Sequence, residues 1–270
     1  MLDLTLSSEL YNNIKFNMHK LILEVEEGDA ARLAAIFGAP EAEVQKVIDE
    51  MRRTVLEQVQ KLKGEMEIPK PVGSKTIAFV GDSITSDRAS YLNILRELYR
   101  NDSALVFVDA AVSGDKSDDA VMKFYFRTLN HRPDMVHILI GTNDLRHNND
   151  TFGCSAVSLG DYRRNLTYML QTLQEKQIPT VVSQIAPVLN ERLCKRFPED
   201  NWKYDYEEVE KANEIIRELA KLYGAKLNAM EEIYAAYRPE DLLLQDGLHL
   251  NELGQYLLTR QVLQSLAEYL

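Results

Sequence analysis

The chain has 270 residues, 45% of them apolar and 27% charged, the balance of a folded globular protein rather than a disordered or fibrous one. Its formal charge of −11 weighs against nucleic acid as a partner, because affinity for a polyphosphate comes mainly from Lys and Arg. No run approaches the ~18 apolar residues of a membrane span, so no spanning segment is expected.

Met1-Leu2-Asp3-Leu4-Thr5 lacks the basic start and apolar run of a secretory signal, which predicts a cytoplasmic protein. The first 70 residues read as mostly helical. A short helix is expected after Asp29, whose carboxylate can cap it, with Gly38 as its stop. A long one follows, because Val44, Val47, Ile48, Met51, Val55, Val59 and Leu62 recur at spacings of three and four and so share one face. The placing of Ala34, Gly38 and Val44 is reminiscent of a DNA-binding helix-turn-helix. Its would-be recognition helix, Glu41–Glu50, carries four acids and one lysine, which would repel phosphates. Residues 1–72, with 9 basic and 13 acidic side chains, are therefore expected to be a packing or dimerisation element, leaving a homo-oligomer open. Lys70-Pro71-Val72-Gly73-Ser74 interrupts the helical pattern, and the domain boundary is expected between 72 and 73.

From there short apolar runs alternate with amphipathic stretches. Thr76–Val80, Leu105–Val108, Met135–Ile140, Thr180–Ile185 and Ala225–Leu227 are expected strands; Arg88–Arg100, Ser117–Asn130, Leu159–Gln174, Tyr206–Tyr223 and Glu252–Tyr269 are expected helices. Continuous Val/Ile/Leu runs joined by helical crossovers predict a parallel sheet covered on both faces, with ligands at the carboxyl ends of its strands.

Three strand ends carry chemistry. The first strand runs through Gly81-Asp82 into Ser83, whose hydroxyl would need a base and oxyanion donors to act as a nucleophile. Ser113-Gly114-Asp115 follows the second strand and Gly141-Thr142-Asn143-Asp144 the third. The Ser83 and Gly114 N–H groups with the Asn143 amide could form a three-donor oxyanion hole, each donor typically worth ~3 kcal/mol to the transition state.

The base should be a histidine oriented by a carboxylate. Asp246-Gly247-Leu248-His249 offers one at a spacing of three, and Asp144-Leu145-Arg146-His147 offers another at the same spacing; spacing does not choose between them. His147 stands so close to Asn143 that it reads better as cleft lining. His19, His131 and His137 lack acidic or thiol neighbours at metal-ligand spacing and read as surface or packing residues, so no metal is expected. Cys154 and Cys194 are too few and too far apart for a disulfide framework, and free thiols are expected. No Gly-x-Gly-x-x-Gly or Gly-x-x-x-x-Gly-Lys run supports a nucleotide, and no cofactor is expected.

Gly81-Asp82-Ser83-Ile84, Val112-Ser113-Gly114-Asp115, Gly141-Thr142-Asn143-Asp144 and Asp246-Gly247-Leu248-His249 together resemble the four blocks of the SGNH/GDSL hydrolase family, in the family's order, over about residues 74 to 270. The resemblance implies a flavodoxin-like three-layer α/β/α fold on a five-stranded parallel sheet. It further implies Ser83 as nucleophile, Ser83, Gly114 and Asn143 as oxyanion donors, and His249 with Asp246 as the rest of the triad. Asp109, Ala111 and Ile84 depart from the residues common in many members, and none of the three is a carried-over catalytic residue. The expected activity is hydrolysis of a small acyl ester such as an O-acetylated carbohydrate. A lysophospholipase or thioesterase is the nearest rival, and a non-catalytic module holding a flavin phosphate at Ser83-Ile84-Thr85-Ser86-Asp87 is the rival from another class. His147 and Trp202, the latter in the loop Pro187–Lys203, are the expected substrate-side residues.

Overall fold

The structure, a computed structural model, describes residues 14, 15, 29–147 and 153–270; the amino-terminal reading of Met1–Thr5 and the histidine at position 19 lie outside them. Five parallel strands form the central sheet in the order β2-β1-β3-β5-β7: β1 Lys75–Gly81, β2 Leu105–Asp109, β3 Met135–Leu139, β5 Thr180–Ser183 and β7 Lys226–Asn228. A minor antiparallel pair, β4 Arg146–His147 with β6 Lys203–Tyr204, lies outside it.

The alternation of β1 explains the three layers. Ile77 and Phe79 enter an apolar cluster with helices α4 (Tyr91–Leu98) and α11 (Glu252–Leu266). Ala78 and Val80 enter a second cluster on the opposite face, with α5 (Ser117–Arg127), α6 (Leu159–Glu175) and α8 (Tyr206–Tyr223). A strand buried on both faces favours apolar side chains on both, which is why these strands read as nearly continuous apolar runs. Truncating a fully buried anchor such as Phe79 to Ala should cost ~3–5 kcal/mol.

The amino-terminal helices are α1 (Ala30–Phe37) and α2 (Glu41–Glu65). Asp29 caps α1 by accepting from the Arg32 N–H at 2.9 Å, and Gly38 ends it in the left-handed conformation. The first half of α2 packs on α1 through Val44 and Met51. Its second half places Val55, Val59 and Leu62 in the same cluster as β1 and α11, and Gln58 donates to the Glu252 carbonyl at 3.1 Å.

Several boundaries differ from the sequence reading. The segment after β1 first makes a separate turn, α3 (Ser83–Ser86), and α4 begins only at Tyr91, because the Ser90 hydroxyl accepts from the Asn93 N–H and caps it there. β5 ends at Ser183, two residues early, although the Gln184 N–H still donates to the Asn228 carbonyl at 3.1 Å. The expected loop Pro187–Lys203 contains the helix α7 (Asn190–Arg196), pinned by the burial of Leu193 and by Asn190, which exchanges hydrogen bonds with Tyr204. Short helices α9 (Met230–Tyr234) and α10 (Pro239–Leu242) lead to the last turn before α11.

Candidate active site

Ser83 sits at the carboxyl end of β1, one strand in from the edge of the sheet. Asp82 caps α3, its Oδ1 accepting from the Ile84 N–H at 3.0 Å, while Oδ2 is buried with no hydrogen-bond partner among the described residues. Burial pushes the Asp82 carboxyl up to about 7, against the pull of the Ile84 N–H and the charge of His249.

The chain returns to Ser83 through the turn between α10 and α11. His249 Nε2 lies 2.8 Å from Ser83 Oγ, and His249 Nδ1 lies 2.8 Å from Asp246 Oδ2. Asp246 Oδ1 also accepts from the backbone N–H groups of Leu248 at 2.9 Å and His249 at 3.0 Å. Burial alone would raise its pKa; the charge of His249 and these hydrogen bonds outweigh burial and bring it down to about 2. The carboxylate thus stays ionised and can hold an Nδ1–H, the tautomer that turns a bare Nε2 toward the Ser83 hydroxyl.

The second and third strand ends are tied to each other. Asn143 Nδ2 donates to the Asp115 carbonyl at 3.0 Å, which fixes the amide and leaves its second N–H available. Gly114 holds φ at 82°, a conformation that favours glycine, on an exposed turn. Beneath them Asp144 accepts the Ser117 N–H at 2.9 Å and the Ser117 hydroxyl, so the third strand end anchors the start of α5. Burial pushes Asp144 up to about 6, opposed by those Ser117 hydrogen bonds. Among the described residues, the donors at Ser83, Gly114 and Asn143 all belong to loops at the carboxyl edge of β1, β2 and β3.

The second Asp-x-x-His segment does not pair with itself. Asp144 is committed to Ser117, and His147 Nε2 meets Glu208 Oε2 at 2.8 Å on α8. Trp202 stacks under the Arg146 guanidinium, 4.0 Å from the ring centroid, and beside Phe197 at 4.2 Å. His131 lies on an exposed single turn, Leu129–His131, whereas His137 is fully buried between Tyr91 and Ser183. Both cysteines are free and exposed, and the described residues contain no cluster of metal-ligating groups.

This arrangement can carry out nucleophilic attack on a carbonyl, with a base behind the nucleophile and N–H donors beside it. A family model described as GDSL-like Lipase/Acylhydrolase family matches residues 79–257, well over half of the chain, and its span contains every residue of the arrangement. The chain belongs to that family. Solved structures share this hydrolase's fold at low identity. The lipase/acylhydrolase from Enterococcus faecalis is 20% identical with a TM-score of 0.58, over 72% of this chain and 96% of that one. The acetylxylan esterase Axe2 from Geobacillus stearothermophilus is 16% identical with a TM-score of 0.58, over 72% and 95%. Among curated proteins, the uncharacterized lipoprotein YqeF of Bacillus subtilis (strain 168) is 27% identical over 99 residues; the match spans 39% of that protein.

Two supports of this hydrolase's site were not legible in the sequence. Gln255, on α11, donates to the Ile84 carbonyl at 3.2 Å and accepts from the Tyr91 N–H at 2.9 Å, clamping the Ser83 turn to the helix that follows His249. Ser117 is the partner that occupies Asp144. Neither has a local signal, because each acts on residues far away in the chain.

Proposed function

We propose that this hydrolase is a serine esterase acting on a small acyl ester, with Ser83 as nucleophile, His249 as general base and acid, and Asp246 orienting and charge-balancing the imidazole. The observation that carries the reading is the unbroken line Ser83 Oγ, His249 Nε2, His249 Nδ1, Asp246 Oδ2, with both links at 2.8 Å. His249 takes the Ser83 proton as Oγ attacks the ester carbonyl. The Ser83 and Gly114 N–H groups and the Asn143 amide hold the oxyanion. The intermediate collapses to an acyl-enzyme as His249 protonates the leaving alcohol, and a water, deprotonated by His249, then releases the acid.

An O-acetylated carbohydrate is the proposed substrate class. The buried polar side chains of Asp115 and Asn143 beside Gly114 support it, and two of the solved structures that share the fold are named as acetylxylan esterases. His147 and Trp202 are proposed as the wall of the cleft rather than as groups that grip the sugar, since Glu208 occupies the His147 Nε2 and Arg146 one face of the indole. The helices α1 and α2 are proposed to act as a packing element on the hydrolase core. No described helix is long and apolar enough to cross a membrane.

A fluorophosphonate probe should label Ser83, and the protein should hydrolyse acetyl esters faster than esters or thioesters of eight carbons or more. Undiminished turnover in a folded Ser83→Ala variant sinks the nucleophile assignment; a maximum at long acyl chains turns the reading to a lysophospholipase or thioesterase. A yellow protein as purified, unreactive with the probe, would instead point to a flavin module.

A further inference from the structure

Six polar side chains, all buried to within 1% of full, run in a line beneath the sheet's carboxyl edge: Ser265, Asn228, Ser183, His137, Tyr91 and Thr85. The links are Ser265 Oγ to Asn228 Oδ1 at 2.6 Å, Asn228 Nδ2 to Ser183 Oγ at 3.2 Å, Ser183 Oγ to His137 Nε2 at 2.8 Å, His137 Nδ1 to Tyr91 Oη at 3.0 Å, and Tyr91 Oη to Thr85 Oγ1 at 2.9 Å. They cross from α11 through β7, β5 and β3 to α4 and α3. We infer that this chain of hydrogen bonds sets the position of the Ser83 hydroxyl relative to His249, with His137 as its central positioning residue.

The two ends of the line lie on the elements next to Ser83 and His249. Thr85 is two residues beyond Ser83 in a turn of only four residues, and Ser265 is on the helix that follows His249. Thr85 is also pressed over Gly81, so closely that a Cβ at Gly81 would collide with its side chain and with the Leu139 carbonyl. Fixing the Thr85 hydroxyl therefore fixes the whole turn between Gly81 and Asp87. The Gln255 clamp on Ile84 and Tyr91 joins the same two elements by a second route.

Two links have their donor fixed: Asn228 Nδ2 donates to Ser183 Oγ, and Ser265 Oγ donates to Asn228 Oδ1. At His137 a neutral ring carries one protonated and one bare nitrogen, so it passes the line on in a single sense in either tautomer. Burial pushes the imidazole pKa down to about 3, so the ring stays neutral and serves as a donor and acceptor in series. An unpaired link in such a network costs more than its removal as a unit, because the surviving partner stays buried.

The inference rests on the esterase reading for its kinetic arm alone. In the full chain, Tyr91→Phe and His137→Phe should each lower kcat by about 10- to 100-fold with KM within about twofold, as expected when a nucleophile is displaced by a fraction of an ångström. The double variant should be no slower than His137→Phe alone, since one broken link disables the line. His131→Gln, on the exposed turn, is the control. Unchanged kcat in folded Tyr91→Phe, or losses that multiply in the double variant, overturns the inference. Should His137→Phe fail to fold, Tyr91→Phe, which removes one hydroxyl, still decides. Nitrogen NMR of the His137 ring needs no turnover: one protonated and one bare nitrogen, held in a single tautomer, supports the line, and averaging of the two nitrogens overturns it. A wild-type protein that neither turns over esters nor reacts with the fluorophosphonate defeats the esterase reading, and the NMR result still judges the line.

Discussion

Asp246-Gly247-Leu248-His249 and Asp144-Leu145-Arg146-His147 are the same motif by spacing and become opposite structures. In the first, the carboxylate turns inward on its own histidine and two of its own N–H groups, and its pKa falls to about 2. In the second, the carboxylate reaches Ser117 on another helix, the histidine reaches Glu208 on a third, and the pKa of Asp144 rises to about 6. Burial raises both carboxyls; what separates them is the His249 imidazole, which Asp246 has as a hydrogen-bonded partner and Asp144 lacks. A local spacing of three permits an Asp–His pair but does not enforce it, because a carboxylate goes to whichever donors the fold brings nearest.

The largest test of this contrast is kinetic. His249→Ala should lower kcat by about 10⁴- to 10⁶-fold, and Asp246→Asn by about 10⁴-fold with the fold intact, through the wrong tautomer. The same substitution in the second motif, His147→Ala, should change kcat by less than about tenfold, its ring being held by Glu208 rather than aimed at Ser83. Equal losses at the two histidines would break the comparison.

A smaller effect is expected where the second motif borders the first. Asn143→Ala, one residue before Asp144, should lower kcat by about 10²- to 10³-fold and leave KM near its original value, as loss of a single oxyanion donor does. A rise in KM with kcat preserved would place Asn143 in ground-state binding instead.

The smallest effect is thermodynamic, and its sign separates the two carboxyls. Asp144 titrates above the ordinary 3.8, so the fold binds its proton more tightly than the unfolded chain does. Its contribution to stability is full below pH ~3.8 and is lost as pH rises to about 6, a change of ~3 kcal/mol. Asp246 titrates below 3.8, so its contribution is present above that pH and is lost as pH falls toward 2, ~2 kcal/mol. Urea unfolding at a series of pH values should therefore show Asp144→Asn gaining on the wild type between pH 4 and 6, and Asp246→Asn losing ground between pH 2 and 4. Differences running in the same direction would remove the electrostatic half of the contrast.

The sequence by itself determined the parallel sheet, because strands buried on both faces carry apolar side chains on both, and the buried residues 77–80 of β1 and the strand β3, apolar but for His137, declare this in their own residues. It also determined where reactive groups would gather, since Ser83, Gly114 and Asn143 each follow such a run. Capping at Asp29 and the stop at Gly38 were legible for the same reason: each acts on a neighbour a few residues away. Only the tertiary structure decided what each buried polar group would meet. Asp144 with Ser117, His147 with Glu208, Gln255 with the turn at Ile84, and His137 between Tyr91 and Ser183 join residues 27 to 171 positions apart. Partner choice at that range is set by which loops and faces the sheet order brings together, and no periodicity or spacing within one segment records it.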